Sequence, residues 1–287
     1  MKFNLEDIRV PEGKKLKLRD WPTRVDPLYS SKDDVRAQMG DGVEKLARCQ
    51  ERHYAARANA ILLIFQGMDA AGKDSAIEHV MSGVNPQGCV VHSFKEPSTK
   101  ERSHDFLWRA ATHLPERGQI GIFNRSYYED VLIVRVHPEL LTGDHAVRPG
   151  KKKDVWKERY ESIRNFEQHL HREGTHVLKF FLHLSKEEQR LRFLSRIDDP
   201  EKNWKMSPSD IQERKYWADY QKAYGEAIGA TSTKDAPWFI IPADDKDNAR
   251  LMISKILLKK FKDLKLELPI TTKERAAELK KLRRELD

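Results

Sequence analysis

Residues 60–80 read AILLIFQGMDAAGKDSAIEHV. The first seven are almost wholly apolar, the pattern of a strand buried on both faces of a parallel sheet. Gly67 to Lys73 then match G-x-x-x-x-G-K, a loop whose backbone N–H groups turn inward around phosphates. KDSAIEHVM follows with helical spacing, so strand, glycine loop and helix come in the order the motif requires. The helix N-terminus adds positive potential at the loop. Gly67, Ala70, Ala71, Gly72, Asp74 and Ser75 are thereby candidate phosphate-binding positions, and Lys73 is expected to reach the outer phosphates. Two acids depart from the simple pattern. Asp69 lies inside the loop, and Asp74 stands where the motif has Ser or Thr, the usual magnesium partner. A carboxylate repels a bound polyanion unless a cation or an acceptor group intervenes. Asp69 is therefore a magnesium-shell group, a base facing an acceptor phosphate, or a carboxylate that accepts loop N–H bonds. Asp74 either holds metal or complements the helix N-terminus.

Working outward, four more apolar runs alternate with helical patterns: GCVVHSF from 88, GQIGIFN from 118, THVLKFFLHLS from 175 and PWFIIPA from 237. That alternation predicts an α/β fold, a parallel sheet with helices on both faces. Residues 1 to about 30 are polar and carry Pro11, Pro22 and Pro27, which reads as an extended arm. SKDDVRAQMGDGVEKLARCQERHYAAR predicts a helix or a helical pair broken near Gly40–Gly42. Ser185 with Glu188 forms a capping box, and Ser207-Pro208 with Asp210 marks another helix start. The charged segment between them lies between two helices, so residues 186–216 are expected to form a helical insert. The tail, 265–287, reads as a charged helix that lies on the surface or meets another subunit.

The third strand ends in IFNRSYYEDV. An acid near a metal is expected at such a strand end, yet Asn124 and Arg125 stand there, with Glu129 and Asp130 following. Arg125 falls where ligands bind in open α/β sheets and is a candidate for holding a transferring phosphoryl group. Lys95, in SFKEPS after the second strand, and Arg102, one turn on, are candidates for an acceptor phosphate. RPGKKKD at 148–154 reads as a solvated charged loop. The insert carries Arg190, Arg192, Arg196, Lys202, Lys205, Arg214 and Lys215. Arg192 and Arg196 share a helix face. Such an insert would close over phosphates as a lid, supplying cations and excluding water.

Composition bounds the rest. The chain has 287 residues, with 53 Lys and Arg against 45 Asp and Glu, a net charge of +8. The length suits one or two domains; one domain over 1–287 is expected, with 1–55 as arm and first helices. Basic excess favours anionic partners. No aromatic-rich basic strand of the kind that stacks RNA is present, so nucleic acid is not an expected partner. Cys49 and Cys89 suggest neither a disulfide framework nor a zinc site. No apolar run approaches the roughly 18 residues of a membrane span, and no signal-peptide pattern opens the chain. A cytoplasmic protein without membrane contact is expected.

Together these residues resemble the polyphosphate kinase 2 family. The family's loop, G-x-D-x-x-G-K-D, is matched by Gly67, Asp69, Gly72, Lys73 and Asp74. Its strand end, [DN]-R-S-x-Y, is matched by Asn124, Arg125, Ser126 and Tyr128. EEQRLRFLSRIDDPEKNWKMSPSD is similar to the family's lid, and ERKYWADYQKAYGEAI to the helix after it. The resemblance spans roughly residues 30 to 265. It implies a P-loop kinase-like three-layer sandwich. It also implies reversible transfer of a terminal phosphoryl group between inorganic polyphosphate and AMP or ADP, with Mg2+, or Mn2+ as a substitute. The catalytic residues it implies are Asp69, Lys73, Arg125 and Glu129. Lys95, Arg102, Asn124, Tyr128, Arg192 and Arg196 join the loop in binding, and Asp69, Asp74 and Glu129 are the implied metal ligands. Asn124 replaces the aspartate form, so a second metal there would need Glu129. Glu129 itself stands where ADP-restricted members carry Asn, which resembles the class III subgroup that accepts AMP and ADP. Guanine nucleotides are further expected acceptors, and a homodimer or homotetramer is expected. The competing reading is an ATP-dependent nucleoside monophosphate kinase of the thymidylate kinase type, distinguished by its donor.

Overall fold

The computed structural model describes residues 4–142, 155–269 and 271–286. Five strands form one fully parallel sheet in the order β2-β3-β1-β4-β5. They are β1 (Ala60–Gln66), β2 (Cys89–Ser93), β3 (Ile120–Asn124), β4 (Thr175–His183) and β5 (Trp238–Pro242). Each falls within an apolar run read from the sequence. Helix α1 (Lys32–Ala56) precedes the sheet, and α2 (Lys73–Val80) follows β1. Single turns α3 (Thr99–Arg102) and α4 (Trp108–Ala111) lie between β2 and β3. After β3 come α5 (Ile133–Val136), α6 (Glu139–Thr142) and α7 (Val155–Arg172). Between β4 and β5 lie α8 (Lys186–Asp198), α9 (Pro208–Glu213) and α10 (Trp217–Thr231). Helices α11 (Lys246–Leu264) and α12 (Lys273–Leu286) close the chain.

The sheet's alternation divides the core in two. Leu62 and Ile64 of β1 face one cluster with Phe123, Phe181, Ile163 of α7 and Ile228 of α10. Ile61, Leu63 and Phe65 face the other, with Leu46 of α1, Ile77 of α2 and Ile253 of α11. Helices thus cover both faces, because a strand apolar at every position must be buried twice. The described part of the α/β reading holds in this detail.

The structure refines two expectations. Helix α1 runs unbroken through Gly40 and Gly42. A Cβ on Gly42 would stand 2.8 Å from Ser254 Oγ of α11, so this glycine serves close helix packing, not a break. The N-terminal arm is docked, not merely extended. Ile8, Val10 and Leu18 are buried, and the Val10 N–H donates to the Trp238 carbonyl at 2.9 Å. The insert begins as expected, with Ser185 accepting from the Glu188 N–H. Helix α12 has no buried residue among those described. The run 148–154 lies outside the described residues.

Candidate active site

The loop leaves β1 at Gly67 and enters α2 at Lys73. Gly72 sits at φ +97°, and a Cβ there would approach Ser75 Oγ at 3.4 Å and Arg192 Nη1 at 3.6 Å. Only glycine takes that left-handed turn without cost. Ala70 is also left-handed, at φ +61°, a conformation that costs about 1 kcal/mol or more in a residue with a Cβ. Lys73 is buried and donates to the Gly67 carbonyl at 2.7 Å and the Met68 carbonyl at 3.4 Å. Burial lowers its pKa, as does nearby Arg125, while Asp69, Glu129 and Asp74 work the other way.

Arg125 stands at φ +62°, its N–H held by the Phe65 carbonyl at 3.0 Å. This strained residue carries its guanidinium back over the loop, where Nη2 meets Asp69 Oδ1 at 3.2 Å. Burial opposes its charge, but Glu129 and Asp69 outweigh burial and raise its pKa. Glu129 is pushed up by burial and pulled back by Arg125 and Lys73. Asp69, Lys73, Arg125 and Glu129 therefore form one electrostatically coupled group. Asn124 donates to Asp74 Oδ1 at 2.5 Å, tying the end of β3 to the first turn of α2.

A cleft of about 780 Å³ opens from this group. Gly67, Asp69, Arg125 and Glu129 line its floor, Lys95 and Arg102 one wall, and Ser209 and Glu213 of the insert another. Arg102 is engaged with Glu96 Oε1 at 2.5 Å and the Pro97 carbonyl at 3.1 Å. Ser75 Oγ donates to the Gly72 carbonyl, and Arg196 rests over the Phe193 ring.

Two expected ligand contacts are corrected. Tyr128 is fully buried, away from the cleft. Its hydroxyl donates to Glu167 Oε1 at 2.8 Å and accepts from Lys179 Nζ at 3.1 Å. The ring fills the core because a chain leaving a central strand must bury one side. Arg192 is no free lid cation. Its guanidinium donates to the carbonyls of Ala70, Ala71 and Ala243 at 3.1, 3.0 and 2.5 Å, and to Glu188 at 2.9 Å. These carbonyls are orphaned by loop and strand-end geometry, and a buried arginine fork satisfies them.

Several residues at the site escaped the sequence reading. Gln189 donates to the Asp69 carbonyl at 2.9 Å and lines the cleft. It is three residues before Arg192 on α8, a spacing that could have flagged it. Arg109 is buried, donates to the Lys95 carbonyl at 2.9 Å and lines the cleft. Lys246 has its pKa lowered by burial and then by Arg192, with Arg250 and Lys202 adding to this. That gathers cations from α8, the insert and α11 that no sequence run unites.

The carboxylates suit a hard cation, yet no three His, Cys, Asp or Glu side chains among the described residues form a metal cage. Magnesium needs no such cage. It is held by one or two carboxylates plus phosphate oxygens and waters. Asp69, Asp74 and Glu129 fit that role as separate donors around the loop.

The chain matches the family model described as Polyphosphate kinase 2 over residues 29–269. It is 55% identical over 288 residues to the ADP-polyphosphate phosphotransferase of Rhodopseudomonas palustris, covering 100% of this chain and 99% of the relative. The AMP/ADP-polyphosphate phosphotransferase of Meiothermus ruber is 44% identical over 225 residues, 78% of this chain and 80% of that one. The crystal structure of Polyphosphate Kinase 2 from Arthrobacter aurescens TC1 superposes with a TM-score of 0.87 at 38% identity, covering 97% of this chain and 96% of that one.

Proposed function

The chain belongs to the polyphosphate kinase 2 family, and on that premise we propose that it moves the terminal phosphoryl group of inorganic polyphosphate to AMP or ADP, reversibly. The observation that carries the residue assignment is the pairing of Arg125 with Asp69 over the phosphate loop. In phosphoryl transfer most of catalysis is positioning and charge stabilisation. The loop N–H groups of residues 67–72 cradle the donor phosphates. Lys73 sits beneath them and can exchange its carbonyl partners for phosphate oxygens. Arg125 faces the charge that develops on the transferring group, and its bidentate fork suits such a group. The Asp69 carboxylate orients Arg125 and stands at the acceptor side, where the cleft has room for a nucleotide. Asp69, Asp74 and Glu129 would hold Mg2+, with Mn2+ as a substitute. When bound, such an ion would supply positive charge against the phosphate oxygens.

The thymidylate-kinase-like alternative is not favoured, since every relative named above is a polyphosphate enzyme. The proposed acceptors include AMP as well as ADP, and guanine nucleotides; the cleft extends beyond the loop, which leaves space for a nucleoside there. A homo-oligomer and a cytoplasmic location remain part of the proposal. No helix among the described residues is long and apolar enough to cross a membrane. The test supplies polyphosphate, magnesium and AMP, ADP, GMP or GDP in turn, with products resolved by chromatography. ATP formed from polyphosphate and ADP is expected. Lys73→Ala should cost about 100-fold or more in turnover, as loss of a positioned charge donor does, in a protein that still melts cooperatively. Near-native turnover of that variant would defeat the loop assignment.

A further inference from the structure

The sheet order places the phosphate loop, after β1, between two unlike sides. Segments after β2 and β3 line the cleft, and the insert after β4 reaches over it with Gln189, Ser209 and Glu213. The carboxyl ends of β4 and β5 lie on the other side. Ligands of open α/β sheets sit beyond the carboxyl ends of the strands. With the cleft assigned to the acceptor, a nucleoside attached to the donor phosphates would have to lodge at the β4–β5 edge.

That edge is covered. Residues 22–29 cross it and are pinned at successive points. Thr23 Oγ1 donates to Asp244 Oδ2 at 2.8 Å, and the Asp244 N–H donates to the Thr23 carbonyl at 3.0 Å. The Leu28 N–H donates to Asn248 Oδ1 at 2.9 Å, while Asn248 Nδ2 donates to the Asp26 carbonyl at 3.3 Å. The Asn248 side chain belongs to a residue only 1% exposed, and it spends both its polar atoms on this segment. Tyr29 donates to Asp245 Oδ2 at 2.8 Å, and Val25 and Leu28 pack against the core. The remaining gap, between the loop and the end of β5, holds the Arg192 guanidinium on the carbonyls of Ala70, Ala71 and Ala243.

We propose that residues 22–29 form a strap that closes the donor side to a nucleobase, so that the site takes a base-free phosphate chain as its donor. This rests on the phosphotransfer reading above and adds to it the element that selects the donor. The strap belongs to the N-terminal arm, outside both the loop and the lid. Loosening it therefore leaves the transfer machinery in place.

The experiment compares two inhibitors of equal phosphate count, diadenosine pentaphosphate and adenosine pentaphosphate, by calorimetric titration. They differ in the second nucleoside and in the one terminal ionisation that its ester bond removes, so the ratio in each variant is read against the native ratio. The native protein is expected to bind the diadenosine compound no more tightly than the other; tighter binding overturns the proposal. Two variants that loosen the strap follow, Asn248→Ala in the α11 anchor and a glycine–serine replacement of residues 23–28. Each is checked for a cooperative melt. In a folded variant the affinity ratio should move towards the diadenosine compound by about fivefold or more, the lower end of what stacking one base contributes. A ratio unchanged in both overturns the strap's role. Failure of the phosphotransfer reading shows separately, as absence of polyphosphate-dependent ATP formation by the native protein.

Discussion

Glu129 carries the sharpest consequence at the scale of single residues. It shares a field with Arg125 and Lys73 and lines the cleft. AMP presents its phosphate one unit deeper than ADP does. A carboxylate here can hold a hydrated cation across that gap, whereas an amide offers only a neutral oxygen. Glu129→Asn should lower turnover with AMP at least about tenfold more than turnover with ADP, a difference of about 1.4 kcal/mol in barrier. Equal losses would make Glu129 a general metal or structural residue. The loop's turn and the position of Arg125 beside it were legible because they belong to short, ordered motifs at strand ends. Tyr128 misled for the same reason. A motif letter does not say whether its side chain faces the ligand or the core, and Tyr128 turns to Glu167 and Lys179, about 40 and 50 residues further along the chain. That ion pair is itself invisible in sequence, since Glu167 lies on a helix and Lys179 in a strand.

At the scale of elements, the joint between α8 and the glycine loop decides how firmly the insert is fastened at its start. Arg192 read as a mobile cation predicts little effect on folding when removed. Arg192 as found satisfies three carbonyls and pairs with Glu188. Arg192→Ala should then cost about 2–4 kcal/mol of stability, seen as a lower denaturant midpoint. A midpoint matching native would restore the cation reading. The strands were readable to within two residues at most ends, because each is an apolar run with turn residues at its borders. The joint was not, because an arginine at a helical position looks the same whether it caps carbonyls or meets solvent. Gly42 illustrates the converse: a helix breaker by propensity, it is kept inside α1 by its contact with Ser254. Tertiary packing overrides propensity there.

Across the whole molecule, buried histidines set the acid limit. Burial lowers the pKa of His53 and His183, and of His176 to about 4. A histidine depressed below its unfolded value of about 6.5 binds fewer protons when folded, so its stability is full above that value. It is lost as pH falls from about 6.5 towards the folded pKa. His137 opposes this: burial lowers it, but Glu213 and Glu139 outweigh burial and raise it. Its contribution is present at low pH and lost as pH rises through its folded value. With His92, lowered by burial and then by His113, four groups against one predict a melting temperature that falls between about pH 7 and about pH 5. A flat or rising profile would contradict this. The docked arm has a further consequence, in the order of synthesis. Val10 leaves the ribosome more than 200 residues before its partner, the carbonyl of Trp238. Chains tend to fold from the N-terminus as they emerge. Here the arm must wait, unpaired, until β5 has been translated, so fastening the arm comes as late as completing the sheet.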